Sequence, residues 1–429
     1  MDSNRLLRIK KKPLQNWLLL WILFLPFLWG TFFQLLSLPS IVKYTADVAW
    51  VVLLGLMLSP KVIQVEKKIR PLVSMVVVFF LYCLLLYLIN YQSIVYFLWG
   101  MRNNFRYYVF FFAIVLFFEE ADVGKILDFM DGLFWFNILV SFIQYFFLGY
   151  EQDNLGGIFG VERGCNALTI IFFTIVLSRS LLRYMEKKES GWLCGTRCAS
   201  ALFLAALAEL KFFFILFVII LIMTAISTAF SWRKVLFFVF CAALVSLTST
   251  LLVSLFGFEN FLSFEKIWEL AINESYSGEK TVNRLSAISS LAATIITDFK
   301  DRLFGLGLGN CDTSTFAICN TPFYQMYGHL KYTYFSSAFL FLEVGYIGIA
   351  LYISFFVTCF VLIRQRLKEE KCNTEHGRIA LIMAVLAILL VFYNAVLRAE
   401  GGYIVYFILA IPFLDSAQNI SNKEAVSIK

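Results

Sequence analysis

Charge is scarce in this chain. Of its 429 residues only 15% are Asp, Glu, Lys or Arg, against about 25% in a soluble domain. Histidine is scarcer still: His329 and His376 are the only two. No Cys-x-x-Cys pair occurs among the nine cysteines, so the usual zinc ligand sets are missing and neither a metal nor a cofactor is expected. No internal repeat and no low-complexity tract is present. These absences exclude a soluble enzyme, a DNA-binding module and a disordered scaffold. What fills the chain is apolar: 60% of the residues are hydrophobic, too many for polar groups to cover in water. At about 20 apolar residues per span, the chain has room for roughly ten to twelve transmembrane helices and one sizeable loop. The net charge of +7 then describes topology, and no nucleic-acid partner is expected.

The spacing of apolar runs predicts an all-α polytopic membrane protein. Arg5, Arg8 and Lys10 to Lys12 precede the first run, Trp17 to Leu36, which reads as a retained signal-anchor. Eleven more follow at about 41–59, 72–90, 105–118, 127–149, 166–183, 198–209, 212–230, 235–256, 335–363, 379–397 and 402–414. Alternating these twelve segments puts two thirds of the 36 lysines and arginines on one side. The positive-inside bias makes that side cytoplasmic, with both termini in it. One segment fits poorly, because Glu119 to Asp131 is acidic and holds a single lysine, Lys125.

Three regions result: helices over 1–256, a large non-cytoplasmic loop over 257–334, and closing helices with a tail over 335–429. A loop of about 80 residues is unusual without structure of its own and is generally functional. Trp268, Leu285, Ile288, Leu291, Ile295 and Ile296 recur at helical spacing, so amphipathic helices on the membrane surface are expected there. The 48 Phe and 20 Tyr read mainly as lipid-facing and interfacial residues.

Candidate chemistry lies on the loop side. Arg163 follows the turn Gly156-Gly157-Ile-Phe-Gly160; Arg284 and Arg302 lie in the large loop; Arg398 begins the last outer turn. Arg102 and Arg106 are one helical turn apart. An arginine near hydrocarbon is costly, so its retention is a functional hint, and its planar fork suits phosphate oxygens. The bland alternative for each is an interfacial anchor or an ion pair. Glu343 sits inside an apolar run and must pair or neutralise; a buried bridge to arginine and a catalytic base both fit. Lys43 and Asp47, four apart, read as a pair on one helix face. Glu209 and Lys211 mark an outer turn. Gly305-Leu-Gly307-Leu-Gly309 has the look of a phosphate loop, but no lysine follows it; three alternate glycines allow positive φ and close backbone approach. Cys311 and Cys319 are placed either to pair or to remain free thiols.

The order Arg284, then Asp301-Arg302-Leu-Phe-Gly305-Leu-Gly307-Leu-Gly309, then Tyr334 and Glu343-Val-Gly345-Tyr-Ile-Gly348 resembles the O-antigen polymerase and ligase superfamily. So does the turn Gly156 to Asn166. The resemblance implies a bacterial inner-membrane glycosyltransferase with both ends inside. Its donor would be an oligosaccharide on undecaprenyl pyrophosphate, and its acceptor a sugar hydroxyl of a second lipid-linked unit. Membrane lipids and a chain-length regulator are the other implied partners. Ligases of the superfamily carry a histidine followed by a small polar residue at a set distance before Gly-x-x-Gly. Tyr334 and Phe335 hold those places here, with His329 five residues earlier, which favours polymerase over ligase.

That chemistry implies roles. Arg284 would clamp the pyrophosphate with Arg163, Arg302 and Arg398, while Gly305, Gly307 and Tyr334 line the substrate. His329 or Glu343 would take the acceptor proton; an imidazole suits that task because it exchanges protons near neutral pH. A flippase is the competing class, but it has no use for the large loop and should show charges along its spans.

Overall fold

A computed structural model describes residues 13–30, 34, 36–58, 69–162, 164–228, 232–256, 281–314 and 316–414. Among these described residues nine helices come first: α1 Pro13–Leu28, α2 Thr45–Met57, α3 Arg70–Ile89, α4 Ile94–Phe117, α5 Glu120–Phe146, α6 Asn166–Met185, α7 Gly191–Leu207, α8 Lys211–Ile226 and α9 Trp232–Phe256. Three short ones, α10 Ala287–Thr294, α11 Phe299–Phe304 and α12 Pro322–Tyr327, follow in the large loop. Closing the chain are α13 Ser336–Lys368, α14 Thr374–Tyr393 and α15 Gly401–Ala410. No strand occurs among the described residues.

Each of the twelve apolar runs overlaps a helix, although the first helix ends at Leu28, well before Leu36. Six of these are long and apolar enough to cross a membrane: Arg70–Ile89, Glu120–Phe146, Asn166–Met185, Lys234–Leu251, Ser336–Lys368 and Thr374–Tyr393. The 16 residues of α8 rise about 24 Å, short of a hydrocarbon core about 30 Å thick. α15 is shorter again and wholly buried; it packs on α4 and α14, while α6 packs on α5, α7, α8 and α14. α3 lies outside, with Val77, Leu81, Leu85 and Leu88 exposed. Such an apolar face is unfavourable in water and at ease in lipid.

The aromatic expectation is corrected. Tyr107, Tyr108, Tyr352, Tyr403 and Tyr406 are among the largest fully buried side chains, together with Phe79, Phe110 and Phe111. Most of their contacts are edge-on or tilted, as Tyr108 on Phe355 at 4.9 Å, while Tyr107 stacks on Tyr406 at 5.7 Å. Aromatic quadrupoles favour that geometry, and the rings fill the space between α4, α13 and α15. A second correction concerns Asp47. It pairs with Arg102 at 2.5 Å, while the Lys43 ammonium sits 4.0 Å from the Trp29 ring centroid. Lys43 lies in a 3-10 turn before α2, so the two residues do not share a helix face.

At the end of the bundle away from the large loop, Arg179 reaches Asp128 at 2.6 Å, Asp131 at 2.7 Å and Glu375 at 2.9 Å. Arg197 pairs with Glu189 at 3.0 Å and Arg378 with Glu186 at 2.7 Å. The acidic stretch of α5 thus has its counter-charges on α6 and α7.

At the loop end, α13 is broken. Gly345 has φ +64° and ψ −170°, outside helical space. The break frees carbonyls that must find donors. Leu306 N–H donates to the Leu342 carbonyl at 2.8 Å and Gly307 N–H to that of Glu343 at 2.9 Å. The Tyr82 hydroxyl donates to Val344 at 2.8 Å. A Cβ on Gly305 would meet the Glu343 backbone at 2.5 Å, and one on Gly345 the Leu303 carbonyl at 2.3 Å. Two chains approach this closely only because both are glycine here.

In the large loop, residues 257–280, and with them Trp268, lie outside the described residues. Leu291 and Ile296 are buried, while Leu285 is exposed. So are the basic N-terminus and the tail from 415 outside the described residues.

Candidate functional site

Arg284 follows a short segment, residues 281–283, without regular structure. Val282 N–H donates to the Leu330 carbonyl at 3.1 Å, and the Asn283 side chain accepts the Arg284 amide at 2.6 Å. Its guanidinium lies 4.5 Å from the centroid of the Tyr393 ring, the last residue of α14. Tyr393 in turn stacks on Phe212 at 3.9 Å and 16°. Phe212 is the second residue of α8, beside Lys211, which pairs with Glu209 at 2.9 Å. A rigid aromatic platform therefore holds a permanent cation where α8 begins and α14 ends.

The smaller turn reaches the same end. Asn166, the first residue of α6, donates to the Ala208 carbonyl just before α8 and to Asp153, each at 3.3 Å. Gly164 N–H donates to the Asp153 carbonyl at 3.0 Å. Arg163 itself lies outside the described residues; its neighbours on either side belong to this turn.

His329 is exposed in the 3-10 turn Gly328–Leu330. Because Leu330 accepts from Val282, this turn and the segment before Arg284 are neighbours. Lys331 follows in the left-handed region at φ +56°, and Tyr334, three residues on, is 39% exposed. Tyr332 between them is buried, its hydroxyl donating to the Cys311 carbonyl at 2.6 Å.

The other predicted residues fall into a separate, buried cluster. Arg398, in the turn Val396–Arg398, donates to Glu343 at 3.1 Å and to Asp312 at 2.9 Å. The ring of Phe339 faces its guanidinium at 3.7 Å. Asn103 adds a 2.6 Å bond to Asp312. Arg106 donates to the Arg398 carbonyl at 3.1 Å and to the Tyr107 hydroxyl at 2.6 Å. Side-chain exposure is 7% for Arg398, 6% for Asp312 and 0% for Glu343. Of the two readings open for Glu343, the geometry is that of the buried bridge. At 7% exposure and with two carboxylates already on it, the Arg398 guanidinium is held in a buried ion-pair cluster.

Arg302 is likewise engaged. It donates to the carbonyls of Ile296 and Ala292, both at 2.8 Å, closing the C-terminal turn of α10 as a basic side chain does at a negative helix end. The amide of Gly305 goes to the Asp301 carbonyl at 2.8 Å and that of Gly307 to Glu343. The donors that would cradle a phosphate are spent on backbone.

The structure thus brings Arg284, His329 and the flanks of Arg163 to one end, and gathers Arg398, Glu343, Gly305 and Gly307 beneath. Sequence reasoning missed Asp312, Asn103, Tyr393 and Phe212. Asp312 carried no spacing signal, and Tyr393 and Phe212 read as ordinary members of apolar runs. Cys311 and Cys319 are free thiols and buried; burial pushes both up from the ordinary thiol range. Compared with protein-family models, curated proteins and solved structures, the chain finds no match in any of the three.

Proposed function

We propose that this chain is a bacterial inner-membrane polymerase joining oligosaccharide units carried on undecaprenyl pyrophosphate, with twelve crossings and both termini cytoplasmic. The acceptor hydroxyl oxygen attacks the anomeric carbon of the donor sugar. The bond from that carbon to phosphate oxygen breaks, and polyprenyl diphosphate leaves with the electron pair. Developing charge on the leaving group needs fixed cations, and Arg284 is the one we assign, with Arg163 assisting. The acceptor proton goes to His329. Holding both substrates in one membrane plane supplies proximity.

One observation carries this reading: the Arg284 guanidinium rests on the Tyr393 ring while Val282, two residues before it, is bonded to the turn bearing His329. A permanent cation and an exposed imidazole thus share the loop end of the bundle. The reading is tested by the surface polysaccharide of cells with and without the chain. Loss of a polymerase leaves single units on the acceptor. Loss of a flippase leaves none, and loss of a ligase leaves polymer stranded on the carrier lipid; either pattern would refute the assignment.

A further inference from the structure

The segment from Cys311 to Tyr332 forms a closed lobe. The Tyr332 hydroxyl returns to the Cys311 carbonyl at 2.6 Å. Halfway round, the Thr321 hydroxyl donates to the Asp312 carbonyl at 2.9 Å, and the same oxygen accepts the Tyr324 amide that opens α12. Both arms of the lobe therefore meet at Cys311 and Asp312. Those two residues are the foot of everything between them, His329 included.

That foot stands on charge. Asp312 Oδ2 accepts from Arg398 at 2.9 Å and from Asn103 of α4 at 2.6 Å. Arg398 uses its other terminal nitrogen on Glu343 at the break in α13. Its backbone is held by Arg106, which also approaches Asp47 of α2 at 3.7 Å. Arg102 bonds both Asp47 and the Asn103 side chain. Three guanidinium and three carboxylate groups from α2, α4, α13, the lobe and the turn before α15 form one chain of contacts. Buried ion pairs are often no more stabilising than apolar packing, but they fix which groups meet. Here they fix the lobe on the bundle.

We propose that Arg398 is a positioning residue: acting through Asp312, it sets the lobe so that His329 lies over the acceptor at the Arg284 site. The fork matters as well as the charge, because two separate acceptors must be met at once. This inference rests on the polymerase reading for its catalytic consequence, although the placement of the lobe does not.

Two measurements separate the parts. Spin labels at Met326→Cys in the lobe and Phe147→Cys on the bundle, both exposed positions, report the lobe by their distance distribution, with Cys165 and Cys372 replaced by serine. Transfer kinetics and binding of undecaprenyl diphosphate alone report the site. In Arg398→Ala the distance should shift and broaden, and transfer should fall roughly 100-fold, the scale of a 1 Å misplacement. Undecaprenyl diphosphate should bind within about twofold of the parent. Added guanidinium should restore both distance and rate. Arg398→Ala combined with Asp312→Ala should be no worse than Arg398→Ala alone, since the two act in series. Should Arg398→Ala fail to fold, Arg398→Lys and Asp312→Asn read the same shift in milder form. An unchanged distance with diphosphate binding lost would make Arg398 a headgroup ligand and overturn the proposal, as would additive losses in the double variant. If the parent shows no transfer at all, the polymerase reading fails while the distances still decide where the lobe is held.

Discussion

The amide of Val282 donates to the carbonyl of Leu330 at 3.1 Å, and this bond ties the segment of Arg284 to the turn of His329. Two residues 45 positions apart in sequence thereby become neighbours at one end of a helical bundle. A guanidinium offers a planar fork to phosphate oxygens, and an imidazole can take a proton from a hydroxyl.

The platform beneath Arg284 gives the first prediction. Tyr393→Leu removes the ring under the guanidinium and should weaken undecaprenyl diphosphate binding by roughly fivefold, the value of about 1 kcal/mol of cation–π contact. Tyr393→Phe keeps the ring and should bind as the parent does. Equilibrium binding in nanodiscs distinguishes the two, and equal losses in both would refer the effect to the hydroxyl instead.

His329→Ala should leave diphosphate binding intact and lower transfer by about 10²- to 10⁴-fold, the usual contribution of a general base. Transfer at the parent's rate in the variant would assign the base elsewhere.

The crossing of two glycines predicts a stability contrast. Gly345→Ala places a Cβ 2.3 Å from the Leu303 carbonyl at φ +64°, so the break in α13 has to open. Gly132→Ala in α5 meets nothing within 4 Å and should stabilise by up to about 1 kcal/mol through helix propensity. Thermal unfolding in detergent should therefore move in opposite directions for the two variants.

Thiol reactivity tests the loop's packing. Cys311 is fully buried and its thiol is pushed up by burial first, with the Glu343 and Asp312 carboxylates adding to it. Burial also pushes Cys165 up to about 12. Since the thiolate is the nucleophile, both should resist maleimide at pH 7 in the folded protein and react once it is unfolded. Rapid native labelling of Cys311 would show the lobe standing open.

Much of the helical layout was legible because apolar runs of this length have few other fates. The break at Gly345 was not, since Glu343 to Gly348 reads as the start of one more apolar helix and the carbonyls it frees are met by Leu306, Gly307 and Tyr82, all distant in sequence. Asp47 was assigned to Lys43 on spacing alone, whereas its partner, Arg102, comes from a different helix. The acidic residues of α5 looked out of place only because Arg179 and Arg197 were counted by side rather than by contact. Arg398 and Arg302 were recognised as unusual, but sequence cannot tell a guanidinium that waits for phosphate from one already held by carboxylates or carbonyls. Pairing across long separations decides that, and it is invisible to local pattern.

The most direct test uses purified protein in nanodiscs with lipid-linked oligosaccharide as both donor and acceptor, comparing the parent with Arg284→Ala and Arg284→Lys. The account predicts polymer and released polyprenyl diphosphate from the parent and none from Arg284→Ala, with Arg284→Lys failing to restore the rate because it lacks the fork. Polymer of normal length and yield from Arg284→Ala would contradict it.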